Sequence, residues 1–161
     1  MEGKPVFASA LFDYDLVIDP DYLRLDGSLL EGRFMQIVTS VAMMVASRHA
    51  ECVCIAVGID SLRFRKKVYR GDKLRCHASV NRTWRSTLEV GIKVVADDFR
   101  SLDQKEVFSA YFTFAAVDDD CQPVEIVPVV PESQEQIKRF TEAGIRHQRQ
   151  REEDPGLPLV C

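Results

Sequence analysis

The sequence predicts an α+β domain in which one curved antiparallel sheet of five strands wraps around a single long helix. Three observations support this prediction. Residues 28–48 contain no strong helix breaker, and their apolar side chains recur at steps of three and four residues. Residues 52–117 contain four segments that alternate apolar with polar or small residues, as strands with one buried face do. The connections between these segments are too short for crossover helices, so neighbouring strands should be antiparallel.

The first strand is expected within residues 6–18, where aromatic and β-branched residues alternate in part with polar ones. The turn signal Asp19-Pro20-Asp21 closes this segment. The long helix follows at 28–48, and apolar residues cover almost its whole circumference. A surface helix normally keeps one polar face, so this helix should be surrounded by other elements. Its length of roughly 30 Å is close to the width of a five-stranded sheet, so one sheet could curl around it.

The other four strands are expected at 52–64, 73–80, 87–96 and 107–117. Beyond them, Pro123, Pro128 and Pro131 should hold the chain extended. A charged, weakly amphipathic C-terminal helix is predicted over 133–151, and the last residues, 152–161, are expected to fray. We therefore expect one domain over residues 1–161, with a core at about 8–117 and an extension at about 118–151.

Composition narrows the class of protein. A hydrophobic fraction of 46% and a net charge of −4 are typical of a soluble globular protein and do not favour nucleic acid or an anionic membrane as a partner. The longest apolar run, 34–46, is shorter than the roughly 18 to 20 residues of a membrane span. The five cysteines are odd in number and form no C-x-x-C pair, so we expect no metal site. Cys52 and Cys54 alternate in an apolar stretch and should pack as small apolar side chains on one strand face.

Cysteine usage and the N-terminal sequence also bear on the compartment. Five cysteines without an evident disulfide framework favour a reducing compartment, and the first fifteen residues reach acidic side chains too soon for a signal peptide. A cytoplasmic location is expected. A mitochondrial location is the alternative, because a removed presequence would leave no trace.

Four local segments, in this order, resemble the acyl-CoA hydrolases (thioesterases) of the hot-dog fold. They are Gly27–Gly32 before the helix, Ser47-Arg48-His49 at its end, SLRFRKKVYRGDKL at 61–74, and RTWRSTLEVGIKV at 82–94. The resemblance implies a hot-dog fold, a homodimer whose sheets join edge to edge, and often a trimer of dimers. It also implies that acyl-CoA binds between subunits, with no cofactor beyond the CoA of substrate and product.

The pre-helix segment departs from the family pattern at two positions. The family reads glycine, an Asp or Asn, two residues and paired glycines, whereas this chain has Gly27, Ser28, Leu29, Leu30, Glu31 and Gly32. The place of the family's catalytic carboxylate or amide is therefore Ser28, and the first paired glycine is Glu31. A frequent carboxylate within the helix is replaced by Thr39.

Thioester hydrolysis needs a carboxylate that attacks the carbonyl or activates water, and donors for the developing oxyanion. Asp26 and Glu31 are the candidate carboxylates, with Ser28 as an orienting hydroxyl. The backbone N–H near Gly32, at the positive end of the helix dipole, is the candidate donor. The alternative is structural, because Ser28 and Glu31 match the S-x-x-E capping box and Asp26 suits a turn.

CoA phosphates need positive charge at the mouth of a groove. The densest basic cluster comprises Arg63, Arg65, Lys66, Lys67 and Arg70, and alternation would place Arg63, Arg65 and Lys67 on one strand face. These residues are the candidate CoA ligands. The alternative is a strand end whose charges only keep the sheet edge soluble.

Other polar and aromatic residues have structural interpretations that we favour. Asp72 and His77 show the D-x4-H spacing of hot-dog hydratases, but outside the segment before the helix, so His77 should be a strand-face residue. His49 should cap the helix C-terminus. The helix methionines should pack in the core rather than line an acyl tunnel, and Trp84 suits packing as well as an interface.

The leading functional prediction is an acyl-CoA thioesterase of fatty acid metabolism that hydrolyses a fatty acyl-CoA to free acid and CoA. A catalytically silent hot-dog subunit that binds acyl-CoA or supports assembly is the alternative, favoured by Ser28 and Thr39. An enoyl-CoA hydratase ranks third.

Overall fold

The computed structural model describes residues 2–97 and 103–155 of the chain. The strands are β1 (Lys4–Pro5), β2 (Leu11–Leu16), β3 (Val53–Phe64), β4 (Lys73–Thr83), β5 (Thr87–Asp97), β6 (Gln104–Val117) and β7 (Val129–Val130). The helices are α1 (Glu31–Ala50) and α2 (Gln134–Glu153), and two single turns of 3-10 helix lie at Val6–Ala8 and Pro20–Tyr22. Residues 152–161 are expected to fray, and of these 156–161, which include Cys161, lie outside the described residues.

Five strands form one antiparallel sheet in the order β2-β4-β5-β6-β3. This confirms the predicted five-stranded antiparallel sheet. The two-residue strands β1 and β7 pair in parallel with each other, a contact that the sequence pattern did not predict. Because β2 and β3 lie at the two edges, each leaves one side without a neighbouring strand.

The central helix α1 packs on one face of the sheet, against β3, β4, β5 and β6. Its buried residues form a single stripe, which consists of Phe34, Val38, Val41, Ala42, Val45, Ala46 and His49. The prediction that this helix is surrounded on all sides is wrong for the single chain, since Met43 and Met44 are about two-fifths exposed. The reason is that the sheet covers only the stripe that faces it.

Helix α2 lies on the opposite face of the sheet. Along β5, Leu88, Val90 and Ile92 belong to the core beside α1, whereas Glu89 alternates with them and points to the other face. There Glu89 meets Arg146 of α2. The helix begins with a capping box, in which Ser133 accepts from the backbone of Gln136 and the Gln136 side chain accepts from the backbone of Ser133. The predicted C-terminal helix is confirmed.

Both ends of α1 differ from the prediction. The helix begins at Glu31, and its N-cap residue is Leu30, whose side chain makes no capping bond. At the other end, the Lys4 ammonium bonds the carbonyl oxygens of Arg48 and His49 at 3.1 Å each. Lys4 therefore supplies the positive charge that the sequence suggested for His49.

His49 is fully buried rather than a helix cap. Its Nε2 lies 3.0 Å from the carbonyl oxygen of Val127, which can only accept, so Nε2 carries the proton. Its Nδ1 then accepts from the Ser9 hydroxyl at 3.2 Å. Burial lowers the pKa of His49, since the charged imidazolium would lose its hydration. Neutral His49 therefore links α1 to the segments that contain Ser9 and Val127.

The cysteines near the core behave as small apolar side chains. Cys54 and Cys76 are buried free thiols, and Cys52 is partly buried against the core. Burial raises the pKa of Cys54 to about 11 and that of Cys76 to about 12. Cys54 packs on β3 as predicted, whereas Cys52 precedes the strand, so the predicted common strand face is wrong for Cys52. Neither α1 nor α2, the two helices of the described residues, is long and apolar enough to cross a membrane.

Candidate active site

The segment before α1 is a tight turn held by Asp26. The Asp26 carboxylate accepts from the backbone N–H of Ser28 at 2.9 Å and from its hydroxyl at 2.6 Å. Gly27 adopts a positive φ of 80°, which favours glycine. Both bonds from Ser28 lower the pKa of Asp26 by stabilising the charged form. Asp26 thus fixes the turn, as its structural interpretation predicted.

Ser28 does not take part in a capping box. It is almost fully buried, its hydroxyl donates to Asp26, and its backbone forms a bridge with Tyr69. The backbone N–H of Leu29 and that of Leu30 bond Val68 and Tyr22. The predicted capping box is wrong because residues 28–30 are paired with neighbouring segments and enter the helix only at Glu31.

Glu31 is the carboxylate at the start of α1. Its oxygens lie 2.5 Å from Nη2 and 3.4 Å from Nη1 of Arg24, and each side chain of the pair is close to half exposed. The hydrogen bond from Arg24 lowers the pKa of Glu31, so the carboxylate is ionised at neutral pH. The positive end of the helix dipole favours the same charge state.

Sequence reasoning missed Arg24. The turn around Gly27 brings the side chain of Arg24 back to Glu31, and no residue spacing in the sequence signals that reversal. The backbone of the turn is closed by bonds from Arg24 N–H to the Ser28 oxygen and from Gly27 N–H to the Arg24 oxygen, at 2.7 and 2.9 Å.

Gly32 occupies the first turn of α1, where backbone N–H groups lack intrahelical acceptors. A Cβ atom added to Gly32 would meet no heavy atom within 4 Å. The surroundings of Gly32 are therefore open to another molecule, as a donor at this position requires.

The basic segment that follows β3 lies beside this turn. Strand β3 ends at Phe64, so Lys67 lies beyond the strand, and the predicted common strand face of Arg63, Arg65 and Lys67 is wrong. The cause is twofold: Ser61 has a positive φ that interrupts the register near Arg63, and residues 65–72 turn towards the pre-helix segment. Backbone bonds from Leu29 to Val68 and from Arg70 to Gly27 hold the two segments together.

One pocket of about 220 Å³ joins Glu31 to part of the basic cluster. Its lining consists of Leu29, Glu31, Phe34, Phe64, Arg65, Lys66, Lys67 and Val68. Four predicted site residues, Glu31, Arg65, Lys66 and Lys67, therefore meet in one place. Asp26, Ser28, Gly32, Arg63 and Arg70 lie outside the lining, although Asp26, Ser28 and Gly32 belong to the adjoining turn and helix start. Arg63 donates to the oxygen of Leu62 on its own strand.

The charges in the pocket are not all equivalent. Arg65 is paired with Glu106 of β6 through a bond of 2.5 Å between Nε and Oε1. Lys66 and Lys67 are exposed side chains in the loop after β3. Two lysines and a partly neutralised arginine thus face the single carboxylate of Glu31.

The remaining candidates have structural contacts. The Asp72 carboxylate accepts from the backbone of Tyr69, while His77 lies 3.6 Å from Asp13, so the structure gives Asp72 and His77 separate partners. Trp84 stacks on His147 of α2 with ring centroids 4.0 Å apart. Within residues 2–97 and 103–155, no group of three or more His, Cys, Asp or Glu side chains is arranged to hold a metal ion.

Comparison with known proteins shows which family the chain resembles. Residues 26–101, which contain the pre-helix turn, α1 and the basic segment, match the model of the thioesterase superfamily. The chain is 33% identical to acyl-coenzyme A thioesterase 11 of Mus musculus over 132 residues, which is 82% of this chain. Over residues 26–101 the chain is therefore similar to the thioesterase superfamily, and over 82% of its length to an acyl-coenzyme A thioesterase.

Solved structures of acyl-CoA hydrolases and thioesterases share the fold of this chain. An acyl-CoA hydrolase from Staphylococcus aureus, in complex with butyryl coenzyme A and coenzyme A, superposes with a TM-score of 0.85 at 24% identity, covering 94% of this chain and 92% of that one. A hexameric acyl-CoA thioesterase superposes with a TM-score of 0.87 at 22% identity, covering 98% and 100%. The predicted hot-dog fold is confirmed.

The chain spans about a fifth to a third of the length of the first curated relatives that it matches. It spans 22% of the length of the mouse thioesterase and 35% of two other mammalian thioester hydrolases.

Proposed function

We propose that this chain hydrolyses acyl-CoA thioesters at the pocket where α1 begins. The observation that supports this most directly is the meeting of Glu31 with Arg65, Lys66 and Lys67 around one partly apolar pocket. A thioester needs a carboxylate near its carbonyl, and CoA needs cations near its phosphates. The family of the chain and its acyl-CoA hydrolase relatives support the same reaction.

Each group in and beside the pocket has a proposed role. The Glu31 carboxylate, held ionised by Arg24, takes a proton from water while the water oxygen attacks the carbonyl carbon. In the other route the carboxylate attacks that carbon itself, and water then hydrolyses the resulting anhydride, which releases the acid and restores Glu31. The N–H of Gly32 and the positive end of α1 stabilise the oxyanion. The C–S bond then breaks, and the CoA sulfur leaves and takes up a proton. Arg65, Lys66 and Lys67 bind CoA phosphates, with Arg63 and Arg70 farther along the same segment.

Asp26 contributes indirectly in this proposal. Its carboxylate accepts two hydrogen bonds from Ser28, and Asp26 is absent from the pocket lining. Asp26 and Ser28 therefore position the turn that presents Arg24 to Glu31.

The alternative is a silent subunit that binds acyl-CoA without cleaving it. Two observations favour it: Ser28 occupies the place of the family's catalytic residue, and both nearby carboxylates already have hydrogen-bonding partners. In that case the cations of the pocket would still bind CoA.

Matched amide variants separate the two functions. We expect the wild-type protein to hydrolyse members of an acyl-CoA panel, and Glu31→Gln to lower kcat by about 10²- to 10⁴-fold, the usual contribution of a general base. The CoA dissociation constant, measured by calorimetry, should stay within about threefold, since a loss of catalysis without a loss of binding marks a group that acts on the reaction itself.

Asp26→Asn is the control, because it makes the same chemical change outside the pocket. It should lower kcat less than Glu31→Gln does. CoA binding without any thioester turnover in the wild type would establish the silent subunit, and full activity of Glu31→Gln would refute the assignment of Glu31.

We also propose that the chain forms dimers through the free edge of β3, and that dimers assemble further, as in the hexameric thioesterase structure. Edge strand β3 exposes Val53, Ile55 and Ile59 by 37% to 59%. Apolar side chains along an unpaired strand favour pairing with a second strand.

A further inference from the structure

A second concave region, here called the outer groove, lies on the face of the sheet opposite α1. Its volume is about 440 Å³, and strands β2, β4, β5 and β6 line it together with the first half of α2. Ala78 belongs to the core beside α1, so the neighbouring side chains of His77 and Ser79 point to the other face. Among the described residues, β3 contributes nothing to its lining, and the pocket beside Glu31 shares only Arg65 with it.

Three neighbouring strands place His77, Lys93 and Ser109 in one row across the outer groove. In the antiparallel pairings, His77 lies opposite Lys93, and Lys93 lies opposite Ser109. Side chains directly opposite each other on paired strands have Cβ atoms about 5 Å apart. The row therefore presents an ammonium group between an imidazole and a hydroxyl on one face of the sheet.

The next row has a gap at Gly91. This glycine lies opposite Ser79 of β4 and Tyr111 of β6. Because Gly91 has no side chain, the floor between Ser79 and Tyr111 is backbone, and a Cβ atom there would stand 2.6 Å from Nδ2 of Asn81. The gap leaves room for a bound group between the side chains of Ser79 and Tyr111 and next to Lys93.

Several polar groups of the outer groove have no partner within the protein. Ser79 is 5% exposed, yet its hydroxyl makes no hydrogen bond to any residue that the structure describes. The hydroxyls of Ser109 and Tyr111 and the ammonium of Lys93 likewise have no partner within residues 2–97 and 103–155. Because a buried hydroxyl without a hydrogen bond costs free energy, Ser79 favours an acceptor in the groove.

The lining of the outer groove carries an excess of positive charge. Among the described residues, Glu106 is its single carboxylate, and this carboxylate is paired with Arg65 at 2.5 Å. Arg139 also lines the groove and is paired with Glu135 at the surface. Lys93 is left without a counter-charge, although the whole chain carries a net charge of −4. The local field therefore favours an anion in the groove.

We propose that the outer groove binds the phosphate group of a small phosphorylated molecule. Lys93 supplies a point charge, the role that lysine has in many phosphate sites, and Ser79, Ser109 and Tyr111 donate hydrogen bonds. A phosphate ester offers three strong acceptor oxygens, which match three hydroxyls and an ammonium better than the two oxygens of a carboxylate do. The inference does not depend on thioester hydrolysis, since the groove lies across the sheet from Glu31.

Calorimetric titration with glycerol 3-phosphate tests this inference. We expect the wild-type protein to bind this ester with a dissociation constant of about 1 mM or lower. Lys93→Met should weaken binding about tenfold or more, because a charge-assisted hydrogen bond is lost. Ser79→Ala should weaken binding about threefold or more, because a neutral donor is lost.

Lys67→Met is the matched control, because it makes the same chemical change in the pocket beside Glu31. It should leave the dissociation constant of glycerol 3-phosphate within about twofold of the wild-type value, since distant sites act independently. Urea denaturation establishes that each variant is folded. Lys93 is exposed, so Lys93→Met decides the result even if Ser79→Ala does not fold.

Three results would overturn the inference. The first is the absence of binding at about 10 mM glycerol 3-phosphate, or unchanged binding in folded Lys93→Met. The second is weaker binding in Lys67→Met but not in Lys93→Met, which would place the phosphate in the pocket beside Glu31. The third is tighter binding of citrate than of glycerol 3-phosphate by about tenfold, which would mean that the outer groove is a polycarboxylate site.

Discussion

At the scale of single residues, His49 makes the stability of the fold depend on pH. It is neutral in the folded chain, where Nε2 donates to Val127 and Nδ1 accepts from Ser9. Protonation would place a second N–H towards the Ser9 hydroxyl and a charge in the core. Because burial lowers the folded pKa of His49, the unfolded chain takes up the proton first as pH falls.

We therefore expect the free energy of unfolding to be constant with respect to His49 above pH 7 and to decrease as pH falls below about 6.5, the ordinary histidine pKa. Urea unfolding between pH 7.5 and 5.5 measures the slope. His49→Gln should flatten it while lowering stability at pH 7.5. Part of the slope should remain, because burial also lowers the pKa of His147. An identical slope in His49→Gln and wild type would contradict the assignment.

Gly91 is a second residue whose role is visible only in three dimensions. A Cβ atom at Gly91 would stand 2.6 Å from Nδ2 of Asn81, whose amide donates to Glu89 at 2.9 Å. Asn81 is buried, and its side chain cannot move away from an added Cβ atom without losing the bond to Glu89.

Gly91→Ala should therefore lower the free energy of unfolding by about 1 to 3 kcal/mol, the usual cost of overpacking. Gly58→Ala is the matched strand control, since its Cβ would have no neighbour nearer than Thr113 Cβ at 4.0 Å. Urea denaturation of both variants gives the comparison. Equal effects would show that close contact with Asn81 is not the cause.

Residue roles at the site were predictable in part. A carboxylate at the start of the helix and cations in 63–70 follow from the sequence, and Glu31, Arg65, Lys66 and Lys67 do meet. The choice between a capping box and a turn for Ser28 was not predictable, because both use one hydroxyl and a carboxylate within three residues. Tyr22, Val68 and Tyr69 decide it by pairing with residues 28–30, and these contacts are distant in sequence.

At the scale of elements, α2 is held to the sheet by a buried ion pair. Arg146 donates to the two oxygens of Glu89 at 3.0 and 2.7 Å, and its guanidinium lies 3.6 Å from the centre of the Tyr111 ring. The Glu89 side chain is only 3% exposed. The alternation of β5 indicated a polar face there, but it could not indicate that Glu89 is paired with an arginine 57 residues later.

Arg146→Met should lower the free energy of unfolding by about 3 to 5 kcal/mol, since it leaves the charge of Glu89 buried without a cationic partner. Arg139→Met on the same helix is the control. Arg139 pairs with Glu135 at the surface, an interaction of the type that contributes about 0.3 to 0.5 kcal/mol. Urea denaturation measures both. A loss for Arg146→Met no larger than that for Arg139→Met would mean that α2 is held by its apolar contacts instead.

Periodicity predicted the order and kind of the main elements because most strands have one face on the core and α1 has one buried stripe. It did not predict the exposed side of α1. Met43 and Met44 are apolar, yet they lie away from the sheet, and sequence alone cannot distinguish a side chain buried by its own chain from one left for another.

At the scale of the whole molecule, the proposed pairing through the free edge of β3 predicts the mass of the protein in solution. We expect the wild type to have a solution mass of at least twice the 18.3 kDa of one chain. Ile55→Lys, on the β3 edge strand, should reduce this mass to that of a monomer, because a charged side chain on an edge strand opposes pairing with a second strand.

Ile145→Lys is the control, since Ile145 is 66% exposed on α2; it should keep the wild-type mass. Light scattering after gel filtration gives the masses. A monomeric wild type, or an intact oligomer in Ile55→Lys, would refute assembly through β3.

The two deeply placed sulfur atoms have a practical use. Cys54 and Cys76 sit on different strands, and burial leaves almost none of either thiol in its reactive anionic form at neutral pH. An alkylating reagent can therefore reach these sulfurs only when the strands separate. The rate at which they are alkylated measures transient opening of the interior, with no dye or engineered probe added.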